Sequence, residues 1–268
     1  MGVIPSGNSQ DRIEKKVAVV LFDPLEKKPL IDDLMQGYIE DLQTVSHQQT
    51  FYKLTPTILT NIFPPLHMGQ RYSKEDYLAA LEDHHKAYQI APNQFLIADY
   101  ETILQDFHLL DLIKAKTIDE VWLWGGGYFG FWESILGGWG AFPCNSLTVI
   151  QHSRLLPRFA VMGFNYERKV GEMLESFGHR VESTLARKYK SQNFLASLYD
   201  QRRVRPELLK PQNDFEKFLL EQGTVHRVPS APKVPPGEAD YWWEPMDIHT
   251  HHREWLMKMK PDWWKIVV

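Results

Sequence analysis

The chain has almost no cysteine. Cys144 stands alone among 268 residues, so an intrachain disulfide and a thiolate-rich zinc site are both excluded. A large excess of charge of either sign is lacking too. A formal net charge of -4 and a pI near 6.3 leave no basic footprint for nucleic acid. No apolar run approaches the roughly 20 residues that span a bilayer, and the opening "MGVIPSGNSQDRIEKK" lacks the apolar core of a secretory signal. A cytoplasmic protein with neither nucleic acid nor membrane as partner is expected. There is no G-x-x-x-x-G-K-[ST], no spaced G-x-G-x-x-G and no G-x-S-x-G, so P-loop, dinucleotide and serine-elbow chemistry find no support. No internal repeat is evident.

What is present is ordinary globular material. A chain of this length buries roughly three quarters of its unfolded surface and needs no staples. "KVAVVLFDP" is an apolar, β-branched run ended by Asp-Pro and reads as a buried strand, as do "IDEVWLWGGG" and "RFAVMGFN". "TFYKLTPTILTNIFPP" has strand character interrupted at Pro56. Helical periodicity lies between them, in "PLIDDLMQGYIEDLQTVS", "DYETILQDFHLLDLIKAK" and "SKEDYLAALEDHHKAYQ", the last with Ser73 as N-cap and Asp76 at the third helical position. Nearly continuous apolar strands alternating with helices predict an α/β fold, with a mostly parallel sheet flanked by helices. The expected organisation is a disordered arm over residues 1–16, an α/β domain over 17–222 and an irregular Pro/Trp-rich extension over 223–268. The extension, with Trp242, Trp243, Trp255, Trp263 and Trp264, is too apolar to float. It is expected to pack on the domain or on a second copy, the latter making a homodimer.

The chemistry concentrates in "NYERKVGEMLESFGHRVEST", Asn165 to Thr184. Val170, Met173, Leu174, Phe177, Val181 and Leu185 form an apolar helical stripe, and Arg168, Glu172, Glu175, His179 and Glu182 gather opposite it. His179 and Glu182 make an H-x-x-E pair one helical turn apart, and His226 in "GTVHRVP" offers a third ligand for a zinc-type site with an open position. The plainer reading is a solvated acidic face in which Arg168 offsets Glu172 at i,i+4. Gly171 and Gly178 weigh against it: each costs about 0.5–1 kcal/mol relative to alanine in a helix, which implies that another segment comes close on that flank. In open α/β sheets sites form beyond the carboxyl ends of strands, and two such ends deliver Glu133, Glu167, Arg168 and Glu172. The loop "GGGYFGFWES" supplies aromatic walls from Tyr128, Phe129 and Trp132 and a candidate base in Glu133. Ser134 and Cys144 lack a nucleophile context and read as structural. The tail cluster "HTHHREW" reads as exposed or adventitious.

Together, "DEVWLWGGGYFGFWES", "AFPCNS", "MGFNYERKVGEMLESFGHRVES", "GTVHRVP" and "DYWWEP" resemble a family of largely uncharacterised proteins found in bacteria and some eukaryotes. Its pattern is a DEVW strand, an aromatic Gly-rich loop closing in Glu-Ser, and a Tyr-Glu-Arg helix start followed by Gly-His-Arg-x-Glu. The resemblance covers roughly Asp99 to Trp255. It implies candidate residues and no reaction: Glu133, Ser134, Asn145, Ser146, Glu167, Arg168, Glu172, His179, Arg180, Glu182 and His226. Lys169, Gly126-Gly127 and "IHTHHREW" depart from the pattern, which sets the tail histidines outside the shared site.

The resulting expectation is a metal-dependent hydrolase acting on an amide or peptide bond of a small-molecule or peptide substrate. His179, Glu182 and His226 hold one divalent ion, zinc favoured. Glu172 or Glu133 takes a proton from metal-bound water, and Arg168 or Arg180 anchors a substrate carboxylate. Two alternatives stand beside it: a metal-independent carbohydrate-processing enzyme that pairs Glu133 with Glu167 or Glu172, and a non-enzymatic binding protein that uses its aromatic loop and tail.

Overall fold

The computed structural model describes residues 12–92, 94–151, 155–199, 208–226 and 247–268. The chain is α/β: a six-stranded, mostly parallel sheet flanked by helices. Strands β1 (Ile13–Phe22), β2 (Thr50–Leu54), β3 (Ile58–Thr60), β6 (Glu120–Gly125), β7 (Ser134–Gly137) and β8 (Phe159–Asn165) run in the order β2-β1-β6-β8-β7, with β3 continuing beside β1. Only β7 is antiparallel. β4 (Gln89–Ala91) and β5 (Gln94–Phe95) form a separate small hairpin.

The central strands are covered on both faces, and that is why their sequences are apolar without a break. Alternate residues still part company. Val17, Val19, Leu21, Trp122, Trp124, Met162 and Phe164 enter one core, and Ala18, Val20, Phe22, Val121, Leu123 and Val161 enter the other. The first core is roofed by α1 (Asp32–Val45) and α5 (Val170–Tyr189), the second by α2 (Lys74–Glu82), α3 (Tyr100–Asp106) and α4 (Leu109–Lys114). Ser73 caps α2 by accepting the Asp76 N–H at 3.0 Å.

Three local differences from the sequence reading have simple causes. β1 begins at Ile13, inside the stretch expected as an arm, because Ile13 to Val17 pair in register with Thr50 to Leu54. The single helix expected over Asp99 to Lys116 is two, broken where His108 takes a left-handed φ of 55°. And Ser134–Gly137, read as loop, is an edge strand. The residues expected as a Pro-rich connector, and Trp242 and Trp243 with them, lie outside the described residues, as do residues 1–11 of the arm.

After α6 (Gln192–Tyr199) and α7 (Asp214–Gln222), α8 (Ile248–Met257) and α9 (Pro261–Val267) pack on α5 and α1 of the same chain. Trp255, Trp263 and Trp264 are buried, and the Trp264 ring stacks on Phe177 at 5.8 Å between centroids. Both helix glycines have an explanation. A Cβ on Gly171 would stand 3.0 Å from the His249 backbone nitrogen, and one on Gly178 would stand 2.3 Å from Val225 Cγ2. The flank is covered, so the polar face of α5 does not look into open water. Among the described residues no helix is long and apolar enough to cross a membrane.

The tail histidines hold α8 in place. His249 and Arg253 both bind Asp41 of α1, and His252, fully buried, bonds the Gly171 carbonyl through Nδ1 at 2.9 Å. Burial lowers the His252 pKa to about 4, although the Glu175 charge and the Gly171 bond oppose it. The unfolded chain takes up a proton at this residue below about pH 6.5, which the folded chain refuses until about pH 4. Stability from this group is therefore present above pH 6.5 and is lost as pH falls, by about 3 kcal/mol. A His252→Asn variant, whose amide keeps a donor for Gly171, should flatten that acid limb in urea unfolding at neutral and acid pH.

Candidate functional site

The loop after β6 and the start of α5 build the site's walls. A Cβ on Gly163 would meet Phe131 Cβ at 2.5 Å, so the glycine in mid-strand lets the aromatic loop fold down onto the sheet. Antiparallel pairing of β7 with β8, Ser134 opposite Met162, then brings Glu133 up against α5. Ser134 Oγ donates to the Cys144 carbonyl at 2.8 Å, and burial raises the Cys144 thiol pKa, so both residues tie the loop down. On the helix side Asn165 Oδ1 accepts the Glu167 N–H, and Glu172 Oε2 accepts the Lys169 N–H at 3.2 Å, which starts α5 at Val170.

Further along α5, the side chains of Glu175 and His179, at i and i+4, converge with His226. The Nε2 atoms of His179 and His226 face one another at 2.7 Å, so at least one carries a lone pair. Glu175 Oε1 lies 2.7 Å from His226 Nε2 and 3.9 Å from His179 Nε2. Ligands held about 2.1 Å from a tetrahedral ion stand roughly 3.4 Å apart. The separations of 2.7, 2.7 and 3.9 Å bracket that value. A fourth group is close: Glu133 Oε2 stands 3.8 Å from His179 Nε2 and accepts from Asn145 Nδ2.

Glu182 occupies the other side of the His179 ring. Its Oε2 is 3.5 Å from Nδ1 and accepts the Tyr199 hydroxyl at 2.6 Å, while Oε1 accepts the Val225 N–H at 2.8 Å. Glu182 is 2% exposed. A carboxylate on Nδ1 fixes the ring so that Nε2 is the free coordinating nitrogen. Burial and the Glu182 charge push the Tyr199 hydroxyl well above its ordinary pKa and keep it a donor. Burial disfavours charge on His179, but the Glu182 hydrogen bond and the charges of Glu182, Glu133 and Glu175 outweigh it and raise its pKa. Burial likewise opposes ionisation of Glu175, and the His226 hydrogen bond and charge more than reverse this, holding the carboxyl below its ordinary value.

A cleft of about 310 Å³ opens beside the cluster at the carboxyl ends of β6 and β8. Glu133 lines it and also faces the histidines; Tyr128, Phe131, Asn165, Arg168, Glu172 and Ser176 complete the polar and aromatic wall. Arg168, exposed, has no ion-pair partner among the described residues.

The structure thus brings together His179, His226, Glu133 and Glu182, and sets Arg168 and Glu172 on the adjoining cleft. It separates the other two candidates. Glu167 is exposed and pairs with Lys27 at 3.7 Å. Arg180 points the opposite way, into the sheet, where Nη1 binds Glu120 Oε2 at 2.8 Å and Trp122 Nε1 donates to the same carboxylate. Glu175, seen in the sequence only as part of the acidic face, stands where the H-x-x-E spacing had put Glu182. Its signal was the E-x-x-x-H step to His179. Tyr199 reaches the site through helix packing that no local pattern announces, whereas Asn145 was already among the residues implied by the resemblance. A second possible metal-holding group, Asp83, His84 and His85, is made of three successive residues in a surface turn.

Compared with protein-family models, with curated proteins and with solved structures, the chain matches none.

The Arg180–Glu120 pair is a structural element, and removing half of it should be costly. Glu120→Ala leaves a guanidinium 5% exposed without its counterion, for an expected loss of about 3–5 kcal/mol in urea unfolding. Replacing both partners, with Glu120→Leu and Arg180→Met, should recover most of that loss.

Proposed function

We propose that His179, His226 and Glu175 hold one divalent ion, zinc favoured, beside the cleft, and that the protein hydrolyses an amide or peptide bond there. The observation that carries this reading is the meeting of two imidazole nitrogens and one carboxylate oxygen, all within 4.8 Å of one another, next to Glu133, which lines the cleft. The ion would polarise the scissile carbonyl and acidify a water. The remaining work belongs to side chains. Glu133, held by Asn145, takes the proton from the attacking water and returns it to the leaving nitrogen. Glu182 orients His179 and is not itself a ligand. Arg168, at the cleft wall, binds a substrate carboxylate, and the volume of about 310 Å³ suits a short peptide or an N-acyl amino acid. Arg180 has no part in this scheme, because its guanidinium is consumed by Glu120.

A second reading draws on the same wall. Glu133 and Glu172 both line the cleft beside Tyr128 and Phe131, an arrangement that suits a glycoside as well as an acyl substrate. Turnover of a glycoside that survives chelation would favour it.

Metal analysis separates the readings. Wild-type protein, untagged and reloaded, is expected to hold one equivalent of zinc, manganese or iron by inductively coupled plasma mass spectrometry. His179→Ala and His226→Ala should lose it. Wild type that stays free of metal, or His179→Ala that keeps a full equivalent, would sink the assignment. Glu133→Gln is expected to retain the metal and to lose roughly 10²-fold or more of the rate on dipeptide and N-acyl amino acid panels.

A further inference from the structure

His226 belongs to no helix or strand; with Val225 it lies in the turn that follows Thr224. Contacts on the residues just before it help to fix its position. Val225 is fully buried. Its N–H is taken by Glu182 Oε1 at 2.8 Å, and its carbonyl lies 3.2 Å from His251 Nε2 on α8. The Val225 side chain fills the space over Gly178 that a Cβ would need, 2.3 Å from Cγ2, with Trp255 of α8 on the far side at 3.9 Å. Two residues before Val225, the Gly223 carbonyl accepts Trp255 Nε1–H at 3.1 Å. The turn is therefore clamped between α5 and α8. Both of its carbonyl anchors are side chains of α8.

From this geometry we infer that α8 positions the metal ligand His226, so that metal binding and docking of α8 are two sides of one equilibrium. The inference rests on the metal reading above and adds the positioning residues Gly178, His251 and Trp255, none of which touches the ion. The chemical logic is linkage. An ion that needs His226 in place binds the docked state better, and by reciprocity it must favour docking to the same degree. Couplings of this kind change affinity by about 5–150-fold.

The test uses the full chain and zinc alone as probe. Zinc affinity is measured by calorimetry for wild type, Gly178→Ala, His251→Phe and the control Ile103→Val, whose side chain lies in the core on the opposite face of the sheet. Hydrogen exchange over Ile248–Met257 is followed with and without zinc. Gly178→Ala is expected to bind zinc at least tenfold more weakly, because its new Cβ displaces Val225. His251→Phe, which leaves α5 untouched, should weaken binding at least fivefold. The control should stay within twofold, and zinc should slow exchange across α8 in the wild type. If Gly178→Ala does not fold, His251→Phe and Trp255→Phe carry the comparison. Wild-type affinity in His251→Phe, or α8 exchange that ignores zinc in a wild type that binds it, overturns the clamp and leaves the metal site standing. A wild type that binds no zinc overturns the metal reading and the clamp together.

Discussion

One buried carboxylate organises the candidate site. Glu182 is almost wholly removed from water, where an ionised group survives only if its lone pairs are filled. It fills them from three different parts of the chain: the Tyr199 hydroxyl at the end of α6, the Val225 N–H in the turn after α7, and the His179 ring on its own helix. Without that convergence α6 and the turn would have no reason to meet α5 at this point. The His179 ring would also lose the partner that turns its Nε2 toward His226 and Glu175.

Two residues earlier on the same helix Arg180 does the opposite job. About 200° round the helix axis from Glu182, it buries its charge against Glu120 at the start of β6. α5 is thus pinned in rotation by polar contacts on both faces, an ion pair to the sheet and hydrogen bonds to the elements outside it. This explains an otherwise odd feature of its sequence. A surface helix has a wet face, yet here Gly171, Glu175, Gly178 and Glu182 are buried as well as Met173, Phe177 and Val181. The glycines are where α8 and the turn at Val225 come nearest. Their intrinsic cost of about 0.5–1 kcal/mol each is offset by the burial of Val225, Trp255 and the helix that carries them.

The tail completes the arrangement. Its tryptophans add to the α1/α5 core, and its histidines bond backbone and carboxylate groups at the seam, so a cluster that looks metal-binding in one dimension is spent on docking. The candidate metal ligands are drawn instead from one helix and one irregular turn, with Glu133 supplied by the edge strand.

By itself the sequence determined the α/β class, the parallel central strands and α5, because these rest on local apolar periodicity, and it named His179 and His226 as candidate ligands, because few side chains are able to ligate a metal. Even the crowding at Gly171 and Gly178 was legible, since glycine inside a helix needs an external reason. Only the tertiary structure decided between Glu175 and Glu182. Both lie on the same side of α5 as His179, at i-4 and i+3. The choice of which faces Nε2 and which backs Nδ1 was made by Tyr199 and Val225, which arrive from elsewhere. The same holds for Arg180: its position two residues from Glu182 is visible in the chain, but that it faces Glu120 across the core depends on how a helix settles on a sheet, which no spacing within the helix contains.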